Sequence, residues 1–307
     1  MNRGRTTGGQ RDALRIRAAM TQALRGFFLE RDYLEVETPN RIPAPAPEAH
    51  IDAIPSGRWF LHTSPELCMK RLLASGYPRI FQICKCYRDG ERGSLHLPEF
   101  TLLEWYRRDM DYGAMMQECE EMILYVARNL GCGEAIMYNG KEISLKLPWK
   151  RISVEEAFRR YAPLSAAEAM AGDCFEEMLV SHIEPRLEDE GPAFLYDYPI
   201  AQGALARAKK DNPRVAERFE MYLGGLELAN GFSELADETE QRKRFAEAIR
   251  IRSAAGKAVY PMPENFLQVL GSMPPAAGVA LGVDRLVMIF TDSPTIDTVV
   301  TFTPEKL

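Results

Sequence analysis

Leu14, Ala18, Thr21, Leu24 and Phe28 recur at helical spacing, which predicts an amphipathic helix over residues 12–30. Residues 33–38 alternate like a strand that stops at Pro39, and the Pro/Ala-rich stretch 41–47 reads as an extended loop. Two strands follow, 79–88 (RIFQICKCYR) and 100–106 (FTLLEWY). The polar, glycine-containing segment between them makes an antiparallel hairpin with a long loop. A helix is expected over 114–130, and Ser153 with Glu156 forms a capping box for another ending at Tyr161. Residues 163–190 read as helical, 193–198 as a strand, and 215–229 as one long strand. Asp237 caps a helix that runs to Ala255 and stops at Gly256. The segment GVALGVDRLVMIF (278–290) is a small-residue strand leading into an apolar helix. The order of elements predicts an α+β fold, an antiparallel sheet flanked by helices.

Strand parity then exposes candidate chemistry. Phe100, Leu102, Glu104 and Tyr106 share one face of their strand, and an acid beside a phenol makes a poor core surface. Arg88 shares a face with Cys84 and Gln82. If the two faces coincide, one pocket holds a cation for phosphate, a planar ring for a base and an acid for an amine. The alternative is a solvated face carrying a surface ion pair. In residues 224–235 (GGLELANGFSEL), Glu227 and Glu234 are seven apart, so an unbroken strand puts them on opposite faces. A bulge at Asn230-Gly231 returns both to one face, where two carboxylates suit magnesium. The competing reading is a hairpin turn at Asn230-Gly231 with both acids in solvent. Gly278, Ala280 and Gly282 leave one strand face nearly bare, either for a flat ligand or for close helix–strand packing. Arg285 follows at a helix start, where it can stack or reach a phosphate.

Composition narrows the function. The 307 residues are 46% hydrophobic with a net charge of −6, which suits a soluble globular protein and gives no support for a long nucleic-acid grip. There is neither an apolar run of membrane length nor a signal-peptide core, so a cytoplasmic location without membrane attachment is expected. The six cysteines show no zinc-ribbon or redox spacing and are expected to be reduced. The four histidines are expected to form no ligand cluster and to be structural or hydrogen-bond donors rather than metal ligands. No P-loop and no G-x-G-x-x-G fingerprint occurs, so any nucleotide must lie on the sheet.

Taken together, residues 14–39, 80–107 and 276–290 resemble motifs 1, 2 and 3 of the class II aminoacyl-tRNA synthetases. TSPELCMKRLL (63–73), PEFTLLEWY (98–106) and GLELANGFSEL (225–235) look lysyl-type. Motif 1 begins near Asp12, leaving no room for an anticodon-binding OB-fold. The closest likeness is therefore the elongation factor P–(R)-β-lysine ligase family, which FLYDYPIAQGALA (194–206) and GVALGVDRLVM (278–288) also resemble. Ala280 stands where lysyl enzymes usually have glycine.

The resemblance implies a tail at 1–11 and one catalytic domain over 12–307. It implies activation of β-lysine or lysine with ATP and Mg2+, transfer to a lysine of elongation factor P, and a homodimer without stable tRNA binding. By position, Ser64, Pro65, Glu66, Glu104, Tyr106, Asn230, Phe232, Glu234 and Ala280 would hold the amino acid. Arg88, Asp89, Gly90, Glu91, His96, Leu97, Phe100, Glu227, Leu228, Gly282 and Arg285 would hold ATP, with Phe100 and Arg285 sandwiching the adenine. Arg88, Arg285, Glu227 and Glu234 would be catalytic, Glu227 and Glu234 through the metal. The motif 2 pattern usually has glutamate at Gly90 and asparagine at Leu97, so two positions depart from it. The competing functions are a truncated lysyl-tRNA synthetase-like enzyme charging tRNA or a small acceptor, and a non-catalytic ligand-binding paralogue.

Overall fold

The computed structural model describes residues 6–307, with side chains from Gly9 onward. One eight-stranded sheet organises it. Its strands are β1 (Leu34–Glu35), β2 (Arg79–Tyr87), β3 (Glu99–Arg108), β4 (Lys150–Ser153), β5 (Ala193–Pro199), β6 (Val215–Leu223), β7 (Leu226–Ser233) and β8 (Ala276–Gly282). They lie in the order β1-β2-β3-β8-β7-β6-β5-β4. The six inner strands are antiparallel, and only the short edge strands pair parallel. The expected α+β class is therefore what forms.

Residue parity divides the two faces of this sheet. Phe81, Leu103, Trp105, Phe219, Met221, Val279 and Leu281 bury one face beneath α1 (Thr6–Leu29), α3 (Tyr112–Asn129) and α5 (Val283–Phe290). Phe28 stacks on Phe81 with ring centroids 4.8 Å apart. Glu118, an acid buried in this layer, is fully engaged: Tyr33 Oη donates to it at 2.8 Å, Trp105 Nε1 at 3.1 Å and Arg107 at 3.2 Å. Burying it therefore leaves no orphan acceptor. The alternate residues face the opposite way, toward α2 (Glu66–Ala74) and the chain around α4 (Glu238–Ala254).

Three expectations change. A tail is expected at 1–11. Its first five residues lie outside the described residues, but 6–11 form the first turns of α1, and Gln10 donates to Val300 O at 2.9 Å. Residues 215–229 are not one strand. Gly224 and Gly225 have φ of 58° and 79°, the pair of left-handed residues that a two-residue hairpin turn requires, and β6 folds back as β7 there. The hairpin reading at Asn230-Gly231 falls with it, because the turn lies six residues earlier. The helical stretch 163–190 is broken into short pieces between Ala166 and Glu190, which pack with the helix Val154–Tyr161 into a separate small core. No helix among the described residues is long and apolar enough to cross a membrane.

Candidate functional site

The bulge exists, two positions before Asn230. Tyr222 pairs with Glu227 and Met221 with Ala229, so Leu228 is the extra residue. Gly231 serves a different purpose. A Cβ there would come within 2.5 Å of the Phe219 ring and 2.9 Å of Val279, so the glycine allows close packing on the core face. The effect on parity is the one expected. Glu227, Asn230 and Phe232 share a face with Arg218, Glu220 and Tyr222 on β6. Across β8 and β3 the same face carries Gly278 opposite Tyr106, Ala280 opposite Glu104 and Gly282 opposite Leu102. On β2 it carries Gln82 opposite Glu104 and Cys84 opposite Leu102.

That face forms a cleft of about 400 Å³. Of the expected residues, Arg88, Glu91, His96, Leu97, Phe100, Glu227, Leu228, Asn230, Ala280, Gly282 and Arg285 line it. Asp89 and Gly90 do not; both are exposed, and Asp89 N–H donates to Asp52 O. Gly90, with φ of 73°, instead turns the chain so that Glu91 comes back to 3.7 Å from Arg88. The shifted glutamate of motif 2 is thereby restored to the cleft. Arg88 keeps a buried Nε with no partner and lies 5.0 Å over the Phe100 ring centre. One face of Phe100 thus supports Arg88 and is not free for a base. Arg285 donates to Glu227 O at 2.7 Å and lies 2.6 Å from His96 Nε2, tying the β2–β3 loop to the start of β7. Burial, and then the charge of Arg285, hold the His96 imidazole below its usual range.

The expected metal pair does not meet. Glu227 and Glu234 are on one face, but six strand positions separate them, roughly 20 Å at ~3.3 Å per residue. The acid beside Glu227 is Glu220, which the sequence reading did not single out. Both line the cleft, and burial followed by the Glu220 charge pushes Glu227 up to about 7. Glu220 is set in place by Tyr198 Oη at 2.6 Å, Tyr222 Oη at 2.7 Å and Arg218 at 2.7 Å. A pair of carboxylates opening on a polar cleft is the oxygen donor set that magnesium takes beside phosphates.

A second, deeper cluster adjoins the cleft. Ser64 Oγ donates to Glu104 Oε1 at 2.5 Å and Tyr106 Oη to Oε2 at 2.8 Å. Pro65 opens α2, while Glu66 N–H donates back to Ser64 Oγ at 3.0 Å. Glu234 enters from the end of β7 and Phe232 from its interior. Gly278 makes this possible, because a Cβ there would lie 2.3 Å from the Tyr106 ring and 2.8 Å from Glu234. The bare face of β8 therefore has two uses. It is filled by Tyr106 at Gly278 and open at Gly282, where a Cβ would meet nothing nearer than 3.9 Å. Burial pushes Glu104 up to about 8, with the Glu66 charge adding to it and the two hydroxyl donors opposing.

Lys70 belongs to this cluster and was not foreseen. It is 1% exposed, and its Nζ lies 2.6 Å from Glu66 Oε1, 2.5 Å from Glu234 Oε2 and 4.9 Å from the Phe232 ring centre. Neither Glu234 oxygen has a hydrogen bond of sound geometry, so Glu234 is held mainly by the charge of Lys70. With Glu66, Glu104 and Glu234 against one lysine, three acids oppose one ammonium.

Arg252 is a third residue that the sequence does not single out. It is fully buried and donates to Glu48 O at 2.9 Å, Ile51 O at 2.8 Å and Asp52 Oδ1 at 2.6 Å. It thereby pins the loop whose Glu48 and Ile51 line the cleft.

The family profile described as tRNA synthetases class II (D, K and N) matches residues 6–306. The chain is 38% identical to an elongation factor P–(R)-beta-lysine ligase of Erwinia tasmaniensis, over 94% of each chain. It is also 38% identical to the ligase of that name in Pectobacterium atrosepticum, again over 94% of each. A lysine–tRNA ligase of Moorella thermoacetica is 37% identical over 93% of this chain, which spans 64% of that relative's length.

Proposed function

Because the chain belongs to the class II aminoacyl-tRNA synthetases of the aspartyl, lysyl and asparaginyl group, we propose that it activates a lysine-type diamino acid with ATP and passes the acyl group to a lysine of elongation factor P. The observation that carries the activation step is the arrangement of one sheet face, with Arg88 at one end, the Glu220–Glu227 pair at the other and the acid cluster of Glu66, Glu104 and Glu234 beside them. The acceptor rests on the relatives matched along most of their own length, which are named for that transfer.

The chain's residues do the following. The acid cluster holds the two ammonium groups of the substrate. Glu104 gives up its proton as an ammonium replaces Ser64 and Tyr106 among its neighbours. Asn230 and Ala280 form the floor on which the substrate carboxylate is directed toward the α-phosphorus, where its oxygen bonds to phosphorus and pyrophosphate leaves, giving the acyl-adenylate. Arg88, with its unpartnered Nε, neutralises charge that develops on the phosphate. No protein nucleophile is required, so the rate comes from positioning and electrostatics. Glu220 and Glu227 would hold magnesium, which supplies charge neutralisation on the phosphates when bound. The acyl-adenylate is then opened by the ε-amine of the acceptor lysine, forming an amide and releasing AMP.

In this reading residues 6–307 act as one catalytic domain, working in the cytoplasm. The exposed Leu29 and Leu34, at the end of α1 and on the edge strand, favour a homodimer through that edge. The test is the intact mass of elongation factor P after incubation with the enzyme, ATP and (R)-β-lysine. A gain of one lysyl unit supports the transfer. An unchanged mass, together with charging of tRNA by labelled lysine, would move the acceptor to tRNA.

A further inference from the structure

We propose that His62, Cys84 and Cys86 form a binding site for a thiophilic cation of the zinc class on the floor of the amino-acid pocket. Cys84 and Cys86 are two apart on β2, so both point to the site face. Their sulfurs are 3.9 Å apart, and His62 Nε2 is 3.9 Å from Cys86 Sγ. A ring nitrogen and both sulfurs lie within 4.8 Å of one another.

The distances distinguish between two uses of such a pair. A disulfide needs sulfurs ~2.05 Å apart and Cβ atoms roughly 3.5–4.5 Å apart, whereas same-face neighbours in a strand are ~6.6 Å apart along the chain. Closing that bond would bend the central part of β2. A tetrahedral cation with ~2.3 Å bonds to sulfur wants its two sulfurs ~3.8 Å apart. The observed separation is the second one, so a cation needs little rearrangement.

The surroundings fit as well. Cys86 and His62 are fully buried and Cys84 is half-buried, so the pair can be reached from one side only. His62 Nε2 lies 2.7 Å from Lys85 O, and Nδ1 is buried with no partner. The cation would therefore take the place of the Lys85 carbonyl at Nε2, with the ring proton moving to Nδ1. Binding releases one proton from Cys86 and, where Cys84 is still a thiol, one from it. This site is separate from the oxygen pair Glu220–Glu227 in both place and chemistry. In register, Cys84 is the position next to Gln82, which faces Glu104, and Cys86 is two residues before Arg88. A cation bound there sits between the acid cluster and the phosphate arginine, and would block activation. That regulatory consequence rests on the proposed function; the binding does not.

The binding test is titration of the reduced, metal-free chain with cadmium, read by the thiolate-to-cadmium absorption in the ultraviolet. The expected result is saturation at one equivalent. The absorption should be lost in Cys84→Ser and in Cys86→Ser, and kept in Cys132→Ser, which removes the exposed cysteine. Because Cys86 is a core residue, the half-buried Cys84 carries the test if the Cys86 variant fails to fold. Absence of the absorption, or its persistence in Cys84→Ser, overturns the site. Amino-acid-dependent pyrophosphate exchange is then measured with and without zinc. Inhibition that Cys84→Ser relieves supports the regulatory role. Inhibition unchanged in Cys84→Ser, or none despite cadmium binding, overturns that role. An absence of exchange in the metal-free chain would count against the proposed function and leave the binding result intact.

Discussion

Replacing Lys70 with methionine tests whether the acid cluster depends on an internal ammonium. The side chain is 1% exposed and lies within 2.6 Å of Glu66 and 2.5 Å of Glu234, so methionine fills most of the volume and removes only the charge. Removing one partner of a buried pair usually costs ~3–5 kcal/mol, because the other charge is left unpaired. Here the cost depends on pH. Burial pushes Glu234 up to about 8 from 4.5, and Lys70 is the influence that opposes the rise. Between those values the folded state keeps a proton that the unfolded chain has lost, so this group's contribution to stability falls as pH rises. Without Lys70 the folded value climbs further and the fall continues to higher pH. Near pH ~6 Glu234 is protonated in both proteins, and only the Glu66 pairing is lost. Near pH ~9 the wild type has an ionised, paired Glu234, while the variant must keep a proton or bury a bare charge, and the deficit approaches the full ~3–5 kcal/mol. Urea unfolding of both proteins at the two pH values measures this, and Glu234→Gln in the Lys70→Met background should recover most of the high-pH loss. An equal deficit at both pH values, or no recovery from Glu234→Gln, would refute the reasoning.

Two further outcomes follow from the same face of the sheet. Glu104, pushed up to about 8 by burial, carries a proton near neutral pH and loses it when an ammonium arrives, so substrate binding should release a proton and tighten as pH rises toward 8. Calorimetric titration in buffers of different ionisation enthalpy reads this, and a buffer-independent heat would contradict it. Ala280 lies between Glu104 and Asn230 in register, so its methyl faces the amino-acid floor. Ala280→Gly should raise exchange with α-lysine relative to β-lysine, by up to ~1–3 kcal/mol of selectivity, and an unchanged ratio would remove that role.

The sheet face was legible in the sequence because side-chain parity is a local property. Glu104 with Tyr106, Arg88 with Cys84, and the bare row Gly278, Ala280, Gly282 all fall where a period of two puts them. Parity also demanded a bulge between Glu227 and Glu234, and one exists, at Leu228 rather than Asn230. What parity does not contain is distance along the strand. Two acids brought to the same side still stood six positions apart, so the inference from "same face" to "same metal" failed at Glu234. The acid that does line the cleft beside Glu227, Glu220, is hidden when 215–229 is read as one strand, although adjacent glycines at 224 and 225 are the usual sign of a tight turn. Lys70 was hidden differently. It lies three residues from both Leu67 and Leu73, on the buried stripe of α2, and a lysine at such a place needs a buried acid. Nothing local says which acid, since Glu234 arrives from more than 160 residues away. A charged residue on an apolar stripe is thus evidence of a partner that only the fold supplies, and here that partner, Glu234, joins the cluster of Glu66 and Lys70.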